Sequence, residues 1–471
     1  MLAHAVDASE SSQPRQGVRG LVIATFAFVT VFAASAVPIP LYSEYKGAIG
    51  LTDADISATM LMYLFGVVLT LFLSGSLSDA AGRRPLAAAS LLLAMLGCFL
   101  FLRAADPTIV LVARAVQGVS CGLAMSAVSA LVVDSAVGRY EGFGLAVAGC
   151  GALLGVMAGS LAVGFLSLVT QQHALIYWIM IALLALGAIL IPAAPETVVS
   201  RVPLRTACKP VIGVDAKLRG VLPIAACAYV ASGVGTFFQS FSSPVAAECF
   251  GSSDPFMASA ILALSMAPSA LGAPLEARMP SGVSLRVSMA ALLVFTCAMC
   301  VAMAAGALGA FLVLVALFGL STGMCLSGSL RLLFARADMR STATVVSTIN
   351  LIGYTGSAVL SGMMGALVGA TTLVGVLAAL AVFAAVATFW CSRARASARS
   401  RGFICFFDET RTSDADSRER MPAGGAVPPM EVASLRDAEA ARRCDGSCVP
   451  RGAGGLPAAC PAIVAAGRRC A

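Results

Sequence analysis

Arg114 and Gln117 stand three residues apart inside the apolar stretch 108–132, a spacing that puts both on one face of a helix. A guanidinium there can hold an anion, a carboxylate or a carbonyl. Even on insertion-based scales an Arg near the centre of a spanning helix costs about 2.5–3.5 kcal/mol, so it should face protein or a wet cavity and have a partner. The alternative is that the side chain snorkels to the nearer surface, roughly 9 Å away along the helix. The acids nearest that end of the stretch are Glu44, Asp53 and Asp55. Pairing of Glu44 or Asp55 with Arg114 in one state of a transport cycle is the expectation, and solvated carboxylates that start a helix are the competing reading for Asp53 and Asp55. A carboxylate whose proton affinity changes with conformation suits proton coupling, which makes Glu44 the candidate. The histidines are His4 and His173, too few for a relay. No Ser-His-Asp set, metal-ligand cluster or phosphate-binding loop points to an enzyme, a metal or a cofactor.

The elements that position these residues lie in lipid. Hydrophobic residues make up 59% of the chain, charged ones 12%, and the mean hydropathy is +0.91, which excludes an ordinary soluble domain. Crossing a hydrocarbon core of about 30 Å takes about 20 apolar residues in a helix. Twelve such runs are read at 19–41, 56–74, 86–103, 108–132, 142–168, 174–193, 219–241, 256–275, 285–305, 307–333, 342–368 and 370–391. Backbone groups cannot stay unpaired in hydrocarbon, and the runs do not alternate as barrel strands do, so they are expected to be helices.

Lys and Arg fall unevenly in the connections. Nineteen lie on the side of the amino terminus and two, Lys46 and Arg103, on the other. That bias places both termini in the cytoplasm of a cell whose inner (plasma) membrane holds the chain. It also accounts for the net charge of +7 without nucleic acid as a partner.

Residues 75–86, Gly-Ser-Leu-Ser-Asp-Ala-Ala-Gly-Arg-Arg-Pro-Leu, form a polar hinge between the second and third runs. The hinge resembles the signature loop of the major facilitator superfamily, G-x-L-x-D-R-x-G-R-R, with Gly75, Asp79, Gly82, Arg83 and Arg84 in place and Ala80 where the family usually has Arg. Arg114-Ala-Val-Gln117-Gly118 is similar to the family's fourth-helix motif, R-x-x-Q-G, which implies substrate binding or proton coupling. Gly151, Gly155 and Gly159 resemble the fifth-helix antiporter motif, with Val156 in place of its Pro; small faces of this kind let helices approach closely. Pro38-Ile-Pro40-Leu-Tyr42 is similar to the end of the first helix in drug-efflux members. The resemblance implies an all-α membrane protein of two six-helix bundles, related by a pseudo-two-fold axis along the membrane normal. It also implies alternating access of a small-molecule substrate, with a proton as coupling ion, efflux ahead of uptake, and a monomer. In the family the hinge is thought to bond helix ends of the opposite bundle.

Internal similarity supports two halves. Gly118-Val-Ser-Cys-Gly-Leu-Ala-Met-Ser126 echoes Gly319-Leu-Ser-Thr-Gly-Met-Cys-Leu-Ser327 at an offset of 201 residues, which sets Val315 opposite Arg114. The boundaries expected are a bundle at 1–193, a cytoplasmic connection at 194–218 that begins Pro-Glu-Thr, a second bundle at 219–391, and a disordered cytoplasmic tail at 392–471. Polar residues in helical rows are candidates for the cavity wall: Ser347, Asn350, Tyr354 and Ser357 in the eleventh run, Thr236, Gln239 and Ser243 in the seventh. Gln239 and Asn350 stand out because an amide, unlike a hydroxyl, cannot satisfy itself on its own helix backbone.

Overall fold

The structure, a computed structural model, describes residues 2–74, 81–170, 172–197, 218, 220–336 and 342–400. Among the described residues, twelve helices are long and apolar enough to cross a membrane: α1 (Val18–Ala36), α2 (Asp53–Leu73), α3 (Arg83–Leu102), α4 (Pro107–Ser135), α5 (Gly138–Ser167), α6 (Ala174–Ala193), α7 (Leu222–Cys249), α8 (Pro255–Ala277), α9 (Val283–Ala304), α10 (Leu308–Phe334), α11 (Val345–Val368) and α12 (Leu373–Ala394). Among the described residues there is no strand.

Glycines set the closest helix pairs. A Cβ on Gly118 would overlap the Tyr63 carbonyl, and one on Gly122 would come within 2.7 Å of Thr70, so α4 lies backbone to backbone on α2. In the second half a Cβ on Gly319 would lie 2.5 Å from the Ser265 carbonyl oxygen, and one on Gly323 would overlap that of Ser269. The repeated glycines therefore make the same contact twice, α4 on α2 and α10 on α8. Gly151, Gly155 and Gly159 lay α5 on α1, where added Cβ atoms would meet Phe28, Phe32 and the Ala33 carbonyl. The halves join through α2 against α11 and α5 against α8.

The described bonds between the halves gather at one end of the bundle. Ser43 N–H donates to Ser243 Oγ at 3.0 Å, Lys46 Nζ meets Glu248 at 2.7 Å, and Ser57 Oγ donates to the Ser361 carbonyl at 2.7 Å. Ser160 Oγ donates to the Ser259 carbonyl at 3.3 Å. This is the Lys46 face; the other end carries Arg83 and Glu196.

Several boundaries move for physical reasons. The first span stops at Ala36, not residue 41, because Pro38 and Pro40 lack the N–H that a helix needs. The chain turns there and restarts as a short helix, Tyr42–Ile49, that ends at Gly50 with φ 70°. α7 runs past residue 241 to Cys249, carrying Pro244 by widening into a π turn over Val245–Cys249. The last helix continues to Ser400, so residues 392–400, expected in the disordered tail, are helical. Most of the 194–218 connection and all of 401–471 lie outside the described residues.

Candidate functional site

The broken end of α1 is where Arg114 and Gln117 work. In an unbroken helix the Ala34 carbonyl would accept from residue 38, but Pro38 has no N–H. Gln117 Nε2 takes that place, donating to Ala34 O at 3.1 Å. Ile39 N–H turns back to Ala36 O at 3.1 Å, which leaves Ser35 O for Arg114 Nη1 at 2.7 Å. Arg114 Nη1 also donates to Gln117 Oε1 at 3.1 Å, and its Nε to Tyr42 Oη at 2.7 Å. Tyr42 is bonded in turn to Thr59 of α2 at 2.9 Å. A cation at a helix C-terminus meets the negative end of the dipole, so neutral carbonyls serve where a carboxylate was expected.

The guanidinium is 2% exposed. Its Cζ lies 5.5 Å from the Tyr42 ring centroid and 6.0 Å from those of Tyr63 and Phe101, a distance at which aromatic faces attract a cation. Phe101 stacks on Tyr177 with centroids 5.7 Å apart, and Tyr177 hydroxyl bonds that of Tyr45 at 2.9 Å. Arg114 thus neither snorkels to a surface nor stands in an open cavity; it is enclosed by the first bundle. Its counterpart Val315 is fully buried.

The carboxylates expected at Arg114 are engaged elsewhere. Glu44 Oε2 meets His173 Nδ1 at 2.7 Å. Burial pushes the Glu44 carboxyl above its usual range, and His173 only partly offsets this. Asp55 forms a reciprocal cap with Thr52, accepting from its N–H at 2.9 Å and its hydroxyl at 2.6 Å while Asp55 N–H returns to Thr52 Oγ1 at 3.1 Å. Asp53 lies 2.9 Å from Lys46. Burial works against the charge on Lys46, but its bonds to Glu248 and Asp53 outweigh this and hold the ammonium above its ordinary range.

Of the hinge residues, Gly75 and Asp79 lie outside the described residues. Gly82 has φ 95° and leads into α3. The described contacts of Arg83 and Arg84 stay within the first half, where bonds to the opposite bundle were expected. Arg83 pairs with Asp134 at the end of α4 and donates to Ala130 O at 3.0 Å, and Arg84 donates to Ala194 O. Glu196, from the Pro-Glu-Thr after α6, accepts from Arg83 N–H at 3.1 Å and Arg84 N–H at 3.2 Å, an acid on the positive start of α3. In the second half, Glu276 at the end of α8 is buried, accepts from Ser284 at 2.6 Å and pairs with Arg331 at 3.2 Å.

The polar rows of α7 and α11 divide. Thr236 bonds the Gly233 carbonyl of its own helix at 2.7 Å, and Ser243 belongs to the junction with Ser43 and Pro40. Asn350 Oδ1 accepts from Tyr229 hydroxyl at 2.6 Å. Gln239 and Tyr354 are half-buried and make no hydrogen bond among the described residues. Tyr354 lies on α11, which packs along α2 of the other half, and it is packed against the core, so it stands where the halves meet. Asp134, His173 and Thr59 are partners that the sequence reading missed. Pro38 was the one usable signal, since it marks a carbonyl in need of a donor.

Among the described residues, twelve helices long and apolar enough to cross a membrane, in two halves with the same internal packing, define a carrier-type membrane protein. Residues 23–361 match the family described as the Major Facilitator Superfamily, and the chain belongs to that family of transporters. A stretch of 92 residues is 33% identical to the multidrug resistance protein MdtL of Shewanella sp. (strain ANA-3); it covers 20% of this chain and 23% of that protein. The human organic anion transporter MFSD10 (TETRAN) has the same fold, with a TM-score of 0.56 at 16% identity over 80% of this chain and 99% of that one.

Proposed function

We propose that the chain is a proton-coupled secondary carrier that exports a small neutral solute from the cytoplasm by alternating access. The moving bodies in this reading are bundles 1–193 and 219–391, joined by the connection 194–218. The basic face lies in the cytoplasm, as the nineteen-to-two bias of Lys and Arg favours, and the Lys46 face is the outer one. The position of Tyr354 on α11, at its packing surface with α2, carries the reading: a polar group with no described hydrogen-bond partner, at the seam between two repeated halves, is where a substrate would sit.

The neutral class follows from the charges. Among the described spans the charges other than Arg114 sit in first or last turns, and Arg114 is occupied by the end of α1. Gln239, Asn350 and Tyr354 offer amides and a hydroxyl, suited to a solute that hydrogen-bonds without a formal charge.

Flux into proteoliposomes with and without an imposed proton gradient tests this, using one fluorophore scaffold in neutral, carboxylate and quaternary-ammonium forms. Saturable, gradient-driven flux of the neutral form is expected, reduced about tenfold by Tyr354→Phe. Preference for either charged form, or no gradient-driven flux of any form, would contradict it.

A further inference from the structure

Five consecutive residues of the short helix Tyr42–Ile49 each make a side-chain polar contact, and they divide by destination. Tyr42 bonds Arg114 and Thr59, Glu44 bonds His173, and Tyr45 bonds Tyr177, all within the first half. Ser43 and Lys46, one helical turn apart and so on one face, reach Ser243 and Glu248 of the second half. The short helix is a latch: its first-half contacts fix its seat, and its second-half contacts hold the Lys46 face shut.

The seat includes a titratable pair with one unusual atom. With a neutral imidazole, His173 Nδ1–H donates to Glu44, which leaves Nε2 as the acceptor. That Nε2 is buried and has no hydrogen-bond partner among the described residues. A proton added there would create a buried cationic N–H with nothing to donate to, so it binds only where Nε2 meets water or another acceptor. A shift of the short helix against the start of α6 would supply such an acceptor, and it would carry Ser43 and Lys46 with it. Whatever conformation binds the proton better is the one that acid favours.

We propose that Glu44 and His173 form a proton-binding site on the outer face whose filling releases the latch between the halves. The site rests on the orientation assigned above, but its test reads opening and not transport, so it stands or falls apart from the carrier reading. The ionisable groups around the pair are Tyr42, Tyr45 and Lys46 on the short helix, Tyr177 on α6 and Arg114 on α4. Asp53 of α2 and Glu248 of α7 are held on Lys46. Half-burial of Glu44 also makes its carboxyl readier to take a proton than a solvated one.

The experiment uses the full chain in lipid nanodiscs, with bio-orthogonal spin labels at the exposed loop residues Ala105 in the first half and Ser253 in the second. The long-distance population is expected to grow several-fold between pH 7.5 and 5.5. His173→Gln, which keeps an amide donor for Glu44 but cannot take the proton, should lose that step. Lys46→Met should be open at both pH values. Glu44→Gln, should His173→Gln fold poorly, is expected to open at pH 7.5 and keep only a residual step. An unchanged acid response in His173→Gln or Glu44→Gln, or no response in the unmodified chain, overturns the proposal.

Discussion

Gln117 donates its amide N–H to Ala34 O at 3.1 Å, and Ala34 O is the carbonyl that Pro38 strips of its helical donor. A helix break and its repair are thus written 79 and more residues apart, with Arg114 bonded to the next carbonyl, Ser35 O. Together the two side chains finish α1 in a setting without water, where an orphan carbonyl is costly.

The pair of residues can be tested as a pair. Gln117→Ala should lower stability in detergent by about 0.5–1.5 kcal/mol, the range measured for interhelical hydrogen bonds in membranes. In a Pro38→Ala background the Ala34 carbonyl recovers a backbone donor, and the same substitution should cost less. Equal costs in both backgrounds, read from thermal unfolding, would mean that the amide does not repair the break.

Arg114→Lys should fail where Arg succeeds. One ammonium on a flexible stem cannot serve Ser35 O, Gln117 Oε1 and Tyr42 Oη in their planar arrangement, and the desolvated charge keeps its cost. A loss of about 2 kcal/mol in stability is expected, within the range for hydrogen bonds to charged groups. A lysine variant as stable as the parent would show that charge alone is needed.

The twelve spans were legible because lipid imposes one requirement, an apolar run of fixed length, and the helices follow it within a few residues except where α7 runs on to Cys249. The repeat was legible for a related reason: Gly118 and Gly319 each sit where a neighbouring carbonyl leaves no room for a Cβ. Partner choice was not. Glu44 is an acid near the Pro107 end of α4, yet it bonds His173, because a C-terminal dipole, the Ser35 carbonyl and the Gln117 side-chain oxygen already serve Arg114. Sequence proximity to a charge does not reveal that neutral groups have satisfied it. Arg83 likewise faces Asp134, two residues beyond the expected end of the fourth run.

The glycines differ sharply in what they tolerate. Gly118→Ala and Gly159→Ala place a methyl against backbone that cannot yield, and each should destabilise by about 1–3 kcal/mol. Gly142 and Gly149, on the same helix as Gly159, have open space around the would-be Cβ, so alanine there should be neutral or stabilising by up to about 1 kcal/mol. Thermal unfolding of the four variants checks the ordering; a Gly149→Ala protein less stable than Gly159→Ala would contradict it.

Glu44 gives a pH signature of known sign. Its pKa is raised in the folded chain, so the folded state binds the proton more tightly than the unfolded one, and ionising it costs stability above the raised value. That cost disappears as pH falls below the ordinary carboxylate value of about 4.3. Glu44→Gln should therefore be more stable than the parent at neutral pH, and the two should converge in acid. A variant whose advantage grows on acidification would mean that His173, and not burial, dominates the carboxyl.

Glu196 ties the first residues after α6 to the start of α3, filling two backbone N–H groups that no helical carbonyl can reach. If the bundles rock as bodies, the strain of each cycle passes through the connection, and this carboxylate decides which residues of it belong to the first half. Loss of such a cap costs about 1 kcal/mol, about fivefold in the population of the detached form. Glu196→Ala should accordingly speed trypsin cleavage at Arg201 and Arg205 by about that factor, while Glu196→Asp falls between. Cleavage at the parent rate in Glu196→Ala would place the anchor elsewhere, and the rocking body would then end at α6 itself.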